Sequence, residues 1–242
     1  MTGRTPRTSR GAQTRQRLLE AAEAVFVAHG YHDASIVKIT QQAGVAQGTF
    51  YQYFDGKQQV FDELVEDLNS RVRHAMAVAS RAGRDRGEAE RLGFAAFFRF
   101  TAEHPALYRI IRQAEFVSPK ALHLHYDRIV SGYAAGLQQA MEAGEIAPVD
   151  PLVAAWALTG IGEMIGMRWV LWGDTNKVPD DVFDQVITLV HRALGVPGSL
   201  GGGVSGGAAG GVVSGGAGSG TYDDAAGVSG GGTDGPGSQE SR

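Results

Sequence analysis

The 242-residue sequence contains no cysteine, which excludes disulfide bonds and thiolate metal sites. It also lacks an uninterrupted apolar run of membrane-spanning length, because Glu163, Arg168 and glycines divide the longest apolar stretch, residues 151–172. No apolar segment follows the basic residues 1–10, as it would in a secretory signal. These absences predict a cytoplasmic protein with no membrane partner, in which residues 151–172 form a buried helix.

Strand patterns are absent as well, since no run of alternating apolar and polar residues stands between turn signals. Apolar residues recur at helical spacing instead, and glycine or proline stands where helices would end or begin. We therefore predict an all-α fold of about nine helices. Their approximate ranges are 14–29, 35–43, a short helix ending before Asp55, 57–81, 88–103, 105–115, 119–143, 150–173 and 179–195.

Charge is unevenly distributed along the chain, although the net charge is only −4. The basic residues before the first acid, Glu20, are Arg4, Arg7, Arg10, Arg15 and Arg17. A cationic N-terminus on an acidic body is typical of chains that bind nucleic acid. Residues 196–242 hold roughly half of the 35 glycines and too little apolar bulk to form a core. We expect residues 1–10 to be a disordered basic arm and residues 196–242 to be a disordered tail.

The segment AGVAQGTFYQYF, residues 43–54, combines apolar anchors with polar groups. On a helix, Phe50 and Phe54 fall one turn apart and face the core. The opposite side carries Gln47, Gly48, Tyr51 and Gln52. Glutamine forms bidentate contacts with adenine, Thr49 suits a thymine methyl or a phosphate, and tyrosine hydroxyls donate to phosphate oxygens. With the short helix before it, this segment predicts a helix-turn-helix whose second helix enters the DNA major groove.

The segments RLLEAAEAVFVAHGY (17–31) and ITQQAGVAQGTFYQYFDGKQQVFDEL (39–64) resemble the N-terminal domain of the TetR (tetracycline-repressor-like) family of bacterial transcriptional regulators. The spacing between Gly30, Gly44, the Gly-Thr-Phe-Tyr core and Lys57 carries the resemblance. It implies a DNA-binding domain over residues 11–66 and a ligand-binding and dimerisation domain over residues 67–195. It further implies a homodimer that binds a near-palindromic operator in double-stranded DNA, most simply as a repressor that a small-molecule effector releases.

Position by position, the resemblance implies two sets of DNA contacts. Phosphate contacts are assigned to Ser35, Thr49, Tyr51, Tyr53 and Lys57. Base-edge contacts are assigned to Gln47, Gln52 and the backbone at Gly48. Two positions depart from the family pattern: Val37 replaces a polar residue, for which Lys38 is the candidate substitute, and Ala46 replaces a helix-capping residue worth about 1 kcal/mol. We expect these departures to shift base preference without abolishing binding.

The C-terminal part offers an aromatic face and several polar residues to a ligand. Three phenylalanines of FAAFFRF (94–100) share one helical face, which forms either core or the wall of a pocket. Glu163 lies in a very apolar helix, where it either pairs with Arg168 or Arg109 or contacts a ligand. The candidate ligand-binding residues are Phe97, Arg109, Arg112, Tyr126, Trp156, Glu163, Met167 and Arg168. The segments EHPALYRIIRQAEFV and MRWVLW resemble a branch of the family associated with lipid or acyl-thioester metabolism, which implies an acyl-CoA or fatty-acid-like effector.

The last two predicted helices, 150–173 and 179–195, have more apolar surface than one core face requires. We expect two copies of the chain to pair through these helices as a twofold four-helix interface, with Val190 on the outer face.

Other functions have weaker signals in the sequence. It contains no Ser-His-Asp or Cys-His set, HExxH pair or phosphate-cradling loop, so we expect neither an enzyme nor a cofactor. His123 and His125 would point about 200° apart on a helix and could not share one ion, so we expect no metal site. Two alternatives stay open: a small-molecule-binding protein or enzyme with a vestigial helix-turn-helix, and an architectural DNA binder without an effector.

Overall fold

The computed structural model describes residues 8–199, which form nine α-helices and one π-helical turn, with no strand in that range. In chain order the helices are α1 (Ser9–Asp33), α2 (Ile36–Ala43), α3 (Gln47–Tyr53), α4 (Lys57–Ser80), α5 (Arg86–Glu103), α6 (Ala106–Val117), α7 (Pro119–Glu142), α8 (Pro151–Gly166) and α9 (Asp180–Leu194). The predicted all-α fold is confirmed.

The first helix starts earlier than the sequence predicts. The Thr8 side chain accepts a hydrogen bond from the Gly11 amide at 3.1 Å, which caps the helix at Ser9. Residues 9 and 10 are therefore helical and do not belong to a disordered arm, while residues 1–7 lie outside the described residues. Gly30 has a φ of 73°, a backbone conformation open to glycine, and a further turn follows to Asp33.

The ends of the last two helices also differ from the prediction. Helix α8 stops at Gly166 and continues as a π-helical turn, Met167–Leu171, in which the Trp172 amide donates to the Met167 carbonyl at 2.9 Å. After α9, residues 196–199 form a turn in which the Ser199 hydroxyl donates to the Val196 carbonyl at 2.6 Å. The predicted disordered tail therefore does not include residues 196–199, and residues 200–242 lie outside the described residues.

One hydrophobic core joins the first four helices to α6. Phe26, Ile39, Phe50 and Phe61 come from α1 to α4 in that order, and Ile110 of α6 belongs to the same buried cluster. Burying one such side chain contributes roughly 1.5–3 kcal/mol. Since this core crosses the predicted boundary at residue 66, the N-terminal helices pack continuously with α6.

A second core lies among α5, α7, α8 and α9. It contains Phe94, Leu137, Leu158 and Val190. The prediction that Val190 lies on an outer face is wrong, because its side chain is 0% exposed, whereas the neighbouring Leu189 is 59% exposed. Positions 186, 190 and 194 form the inward stripe of α9, and one residue along a helix turns the side chain by about 100°.

Apolar side chains also remain exposed on α8 and α9. They are Leu152, Val153, Trp156, Met164 and Leu189. Exposed apolar surface of this kind often marks an interaction site. None of the helices within residues 8–199 is both long and apolar enough to cross a membrane.

Candidate nucleic-acid interface and cavity

Short local signals set the positions of α2 and α3. The Ser35 hydroxyl accepts a hydrogen bond from the Lys38 amide at 3.2 Å and so caps α2. Gly44 ends α2 in the left-handed conformation, with φ 63° and ψ 41°. Helix α3 follows after Ala46, whose methyl group provides no cap, as the sequence predicts. The result is two short helices joined by a tight turn.

Helix α3 divides into a buried and an exposed face. Phe50 and Phe54 are fully buried, and their ring centroids lie 5.5 Å apart. The exposed face carries Gln47, Gly48, Tyr51 and Gln52. Tyr51 is 49% exposed, although it adjoins a buried phenylalanine. The sequence spacing therefore identified both faces correctly, and contact of the exposed face with DNA stays a prediction.

The remaining candidate DNA-binding residues lie around this face and differ in exposure and in the hydrogen bonds that they already make. Thr49 and Tyr53 are half-buried, and Tyr53 packs against the first core. Lys38 is exposed, and its ammonium group donates to the Asp33 carbonyl at 3.0 Å. Ser35 keeps its hydroxyl proton available, because its oxygen acts as an acceptor in the cap.

Lys57 is placed differently from the prediction of a phosphate contact. Its ammonium group donates to the carbonyls of Tyr31 at 2.6 Å, Ala34 at 2.8 Å and His32 at 3.3 Å. The same group lies 4.3 Å from the centroid of the Tyr31 ring. A lysine has three N–H donors, and all three are directed at the main chain here. Lys57 therefore links the start of α4 to the end of α1 and to the residue that follows it.

Arg17 has a comparable role that sequence reasoning missed. Its guanidinium donates to the carbonyl of Ala43 at 2.6 Å, where α2 ends. This contact joins residues 26 positions apart, so no local pattern in the sequence signals it. The turn of the helix-turn-helix is thus held by one basic side chain from α1, and the segment before α2 by one from α4.

A cavity of about 750 Å³ lies among α4, α5, α6, α7 and α8. This volume falls within the range of small-molecule sites. Five of the eight candidate ligand-binding residues line it: Phe97, Arg112, Tyr126, Glu163 and Met167. The structure thus brings together residues from α5 to the π-helical turn.

The other three candidates do not line the cavity. Arg109 is exposed on α6, and Arg168 is exposed with its guanidinium 5.4 Å from the Trp169 ring. Trp156 is 46% exposed and touches the outside of the cavity wall, with its ring centroid 5.7 Å from that of Tyr126. The apolar periodicity of the sequence predicted correctly that these residues lie in helices, but it does not indicate which face of each helix lines the cavity.

The partner of Glu163 also differs from the prediction of an ion pair. The Tyr126 hydroxyl donates to the carboxyl group at 3.0 Å. No basic side chain lies within ion-pair distance of Glu163 in the part of the chain that the structure describes. Burial raises the pKa of Glu163, and the hydrogen bond from Tyr126 offsets part of that rise. The predicted pairing with Arg168 or Arg109 is therefore wrong.

A buried polar cluster that sequence reasoning missed lies in another part of the lining. Arg86 and Glu90, one turn apart on α5, form an ion pair, and the Tyr133 hydroxyl donates to the same carboxylate. Burial is the main cause that raises the pKa of Tyr133, and Glu90 adds to it. A Cβ at Gly136 would lie 2.9 Å from the Arg86 guanidinium, so this glycine leaves room for the arginine. The charges in this cluster compensate one another.

His125 lies buried at the cavity lining and is bonded to Asn69. The Asn69 amide nitrogen lies 3.0 Å from the His125 Nδ1 and donates to its main-chain carbonyl at 2.9 Å. Since a carbonyl can only accept, the amide nitrogen must face this side, and Nδ1 must accept as well. Burial, together with the positive charge of Arg73, lowers the pKa of His125 to about 4. His125 is therefore a neutral structural residue.

Comparison with known proteins places the N-terminal helices in one family. The family model described as bacterial regulatory proteins, tetR family, matches residues 18–64, which include the whole helix-turn-helix. Residues 18–64 therefore form a tetR-family DNA-binding domain.

Two relatives illustrate the extent of the match. The HTH-type transcriptional regulator YdgC of Bacillus subtilis is 46% identical over 65 residues, which is 27% of this chain and 33% of that protein. The HTH-type transcriptional activator FasR of Mycolicibacterium smegmatis is 34% identical over 119 residues, 48% of this chain and 51% of that protein. The alignments thus span between a third and about half of these relatives.

The fold similarity extends into the C-terminal helices of this chain. The crystal structure of the transcriptional regulator FadR from Bacillus subtilis in complex with stearoyl-CoA aligns with a TM-score of 0.64 and 22% identity. The alignment covers 72% of this chain and 96% of FadR. At this identity the comparison supports the shared fold.

Helix α6 links the N-terminal tetR-family domain to the cavity. The Gln113 side-chain oxygen accepts a hydrogen bond from the Tyr31 amide at 2.6 Å, and its nitrogen donates to the Arg109 carbonyl at 2.8 Å. The same helix supplies Tyr108 and Ile111 to the cavity lining. A displacement of α6 by a bound molecule would therefore act directly on the end of α1.

Proposed function

We propose that this chain is a homodimeric, ligand-responsive transcriptional regulator, most simply a repressor that a lipophilic ligand releases from a near-palindromic operator. The observation that carries the proposal is that α6 contacts both the helix-turn-helix region and the cavity. An element that contacts both sites allows a small molecule and an operator to influence each other's binding. This arrangement also disfavours a vestigial helix-turn-helix, because α6 would then connect the cavity to a domain that binds nothing.

The exposed face of α3 reads the DNA in this proposal. Gln47 and Gln52 contact base edges, Gly48 lets the backbone approach the groove, and the Tyr51 hydroxyl donates to phosphate. Ser35, Lys38, Thr49 and Tyr53 supply further phosphate contacts around this face. Phe50 and Phe54 hold α3 rigidly on the core, which fixes the direction of the reading face.

Two copies of the chain pair through the exposed apolar side chains of α8 and α9. Trp156 and Leu189 are large apolar residues that are 46% and 59% exposed in the described chain. Covering them by a twofold-related copy removes this surface from water and uses one patch on both subunits. Two recognition helices are then held at a fixed separation, which a palindromic operator requires.

The ligand is an acyl-CoA or a similar lipophilic anion. The lining is rich in aromatic and aliphatic groups such as Phe94, Phe97 and Met167, which favour burial of hydrocarbon. Exposed basic side chains, Arg73 and Arg112, border the cavity and suit an anionic group that stays in water. FadR, which was crystallised with stearoyl-CoA, supports this choice through its similar fold.

Release follows from a shift in population between two arrangements of α6. A ligand that prefers the arrangement with separated recognition helices stabilises it by its differential affinity. The hydrogen bond between Gln113 and the Tyr31 amide transmits the movement to α1. The ligand and the operator therefore weaken each other's binding reciprocally.

The test is binding of the full-length protein to the DNA upstream of its own gene, measured by fluorescence anisotropy. Gln52→Ala should reduce the preference for that DNA over scrambled DNA by about 1–3 kcal/mol if the contact is bidentate. Gln139→Ala, at an exposed glutamine on α7, is the matched control and should leave the preference unchanged. Palmitoyl-CoA should release the wild-type protein.

Two results would contradict the proposal. An unchanged preference in the Gln52→Ala variant would remove α3 as the reading element. Binding of no specific DNA at all would favour the reading in which the helix-turn-helix is vestigial, and specific binding without release would favour an architectural protein.

A further inference from the structure

Four polar side chains from three helices line the cavity and are separate from the cluster of Arg86, Glu90 and Tyr133. They are Tyr108 of α6, Tyr126 of α7, and Thr159 and Glu163 of α8, here called the hydroxyl-carboxyl cluster. Thr159, Glu163 and Gly166 lie on one stripe of α8, at i, i+4 and i+7. A Cβ at Gly166 would overlap the Tyr108 hydroxyl, so this hydroxyl lies against α8 about one turn from Glu163.

The cluster has hydrogen-bonding capacity that the protein does not use. Tyr108 is only 5% exposed, and its hydroxyl makes no hydrogen bond of normal geometry among residues 8–199, although the Thr101 hydroxyl lies close enough to lower its pKa against the rise that burial causes. The Thr159 hydroxyl is buried and likewise has no partner in that range. Buried polar groups are rarely left in this state, because each one loses its bonds to water without replacement. Both residues belong to the cavity lining, so a molecule bound there is positioned to supply the missing partner.

The charge of the cluster limits what that partner can be. Glu163 is its only carboxylic acid, and the single hydrogen bond to that carboxyl group among residues 8–199 comes from Tyr126. A ligand carboxylate placed here would meet a second carboxyl group in apolar surroundings, and no basic side chain among residues 8–199 lies within ion-pair distance of Glu163 to compensate it. An uncharged oxygen can accept from Tyr108 and Thr159 without that repulsion.

We infer that the hydroxyl-carboxyl cluster binds an uncharged oxygen function, namely a hydroxyl, a ketone or an ester-type carbonyl, carried on a hydrocarbon skeleton, and that it rejects a carboxylate. This inference rests on the proposed role of the cavity as the effector site. It refines that role, because an acyl thioester has an uncharged carbonyl at the head of its chain, whereas a free fatty acid has a charged group there.

The test uses four ligands with the same ten-carbon chain: 1-decanol, 2-decanone, decanoate and decyltrimethylammonium. Their dissociation constants for the full-length protein are measured by isothermal titration calorimetry at pH 8 without DNA. Decanol and decanone should bind about tenfold more tightly than decanoate or the ammonium compound, which corresponds to roughly one satisfied buried hydrogen bond.

Substitutions within the cluster test separately its binding of an uncharged oxygen and its rejection of a carboxylate. Tyr108→Phe and Thr159→Val should each weaken decanol binding about fivefold, and Thr159→Ser, which keeps the hydroxyl, should restore it. Glu163→Gln should leave decanol binding nearly unchanged and bring decanoate to within about threefold of decanol. Thr175→Val, in the exposed loop before α9, is the matched control and should change neither affinity.

The outcomes distinguish this inference from the proposed function. Equal or tighter binding of decanoate or of the ammonium compound by the wild-type protein overturns the inference, as does no measurable binding of decanol. If palmitoyl-CoA still releases the DNA in that case, the proposed function stands without it. If decanol binds selectively but palmitoyl-CoA releases nothing, the cluster is supported and the proposed effector falls.

Discussion

Replacing Lys57 by methionine should destabilise the protein without removing a DNA phosphate contact. Methionine keeps an apolar stem beside the Tyr31 ring but removes the ammonium group. The two shorter hydrogen bonds, to the carbonyls of Tyr31 at 2.6 Å and Ala34 at 2.8 Å, are lost. The Tyr31 hydroxyl still donates to the Gln58 side chain on α4 at 2.9 Å, but no other α4 side chain binds the main chain of residues 31–34 within the described range.

The magnitude follows from these two bonds. A hydrogen bond to a charged group contributes roughly 1.5–3 kcal/mol, and partial exposure of Lys57 favours the lower end because water can replace the lost donors. We expect the free energy of unfolding to fall by about 2–3 kcal/mol, which corresponds to a melting temperature lower by roughly 4–12 °C for a domain of this size. Urea denaturation followed by circular dichroism measures the loss.

DNA binding decides between the two roles of Lys57. A lysine that neutralises a phosphate contributes about 0.9 to the slope of log K against log salt for each contact. Lys57→Met should leave this slope unchanged at a temperature where the variant is folded, whereas Lys38→Met, the matched control at an exposed lysine, should lower it. A reduced slope in the Lys57 variant together with unchanged stability would refute the structural role.

Two further predictions concern stability and assembly. The pKa of His125 is lowered to about 4 from an ordinary value of 6.5, so between pH 7 and pH 5 the imidazole binds a proton in the unfolded chain but stays neutral in the folded protein. The free energy of unfolding should therefore fall by about 2 kcal/mol over this pH range. Urea titrations at several pH values should show this loss in the wild-type protein and a smaller one in His125→Asn; equal pH dependence would contradict it. Leu189→Glu should give monomers in sedimentation and abolish binding to a full operator, because it places a charge on the proposed interface, and a monomer that still binds tightly would exclude that interface.

The reading face could be recognised from the sequence alone. Phe50 and Phe54 are separated by one helical turn, and a period of 3.6 residues fixes which neighbours point the other way, whatever the rest of the chain does. Ser35 and Gly44 likewise act within three or four residues of themselves, as cap and left-handed terminus. Local geometry of this kind survives into the folded protein because no distant contact is needed to create it.

The contacts of individual charged side chains could not be recognised in the same way. Lys57 meets carbonyls 23 to 26 residues away, and Glu163 meets Tyr126, which lies 37 residues before it. Nothing in the sequence ranks these partners above Arg109 or Arg168, since any exposed arginine on a neighbouring helix satisfies the same expectation. The rotation of each helix about its own axis decides which partner a charged side chain contacts, and the packing of the helices sets that rotation.

The sequence by itself thus determined the all-α fold, the helix-turn-helix and the two faces of α3, because these depend on periodicity, capping and turn residues within a few positions. Only the tertiary structure decided that Lys57 binds the main chain, that Val190 is core while Leu189 is exposed, and that Tyr108 and Thr159 meet Glu163 in one cavity. Those facts depend on the relative rotation and spacing of helices that lie far apart in the chain. The free energy that sets them is shared among many buried contacts, and no single sequence pattern records it.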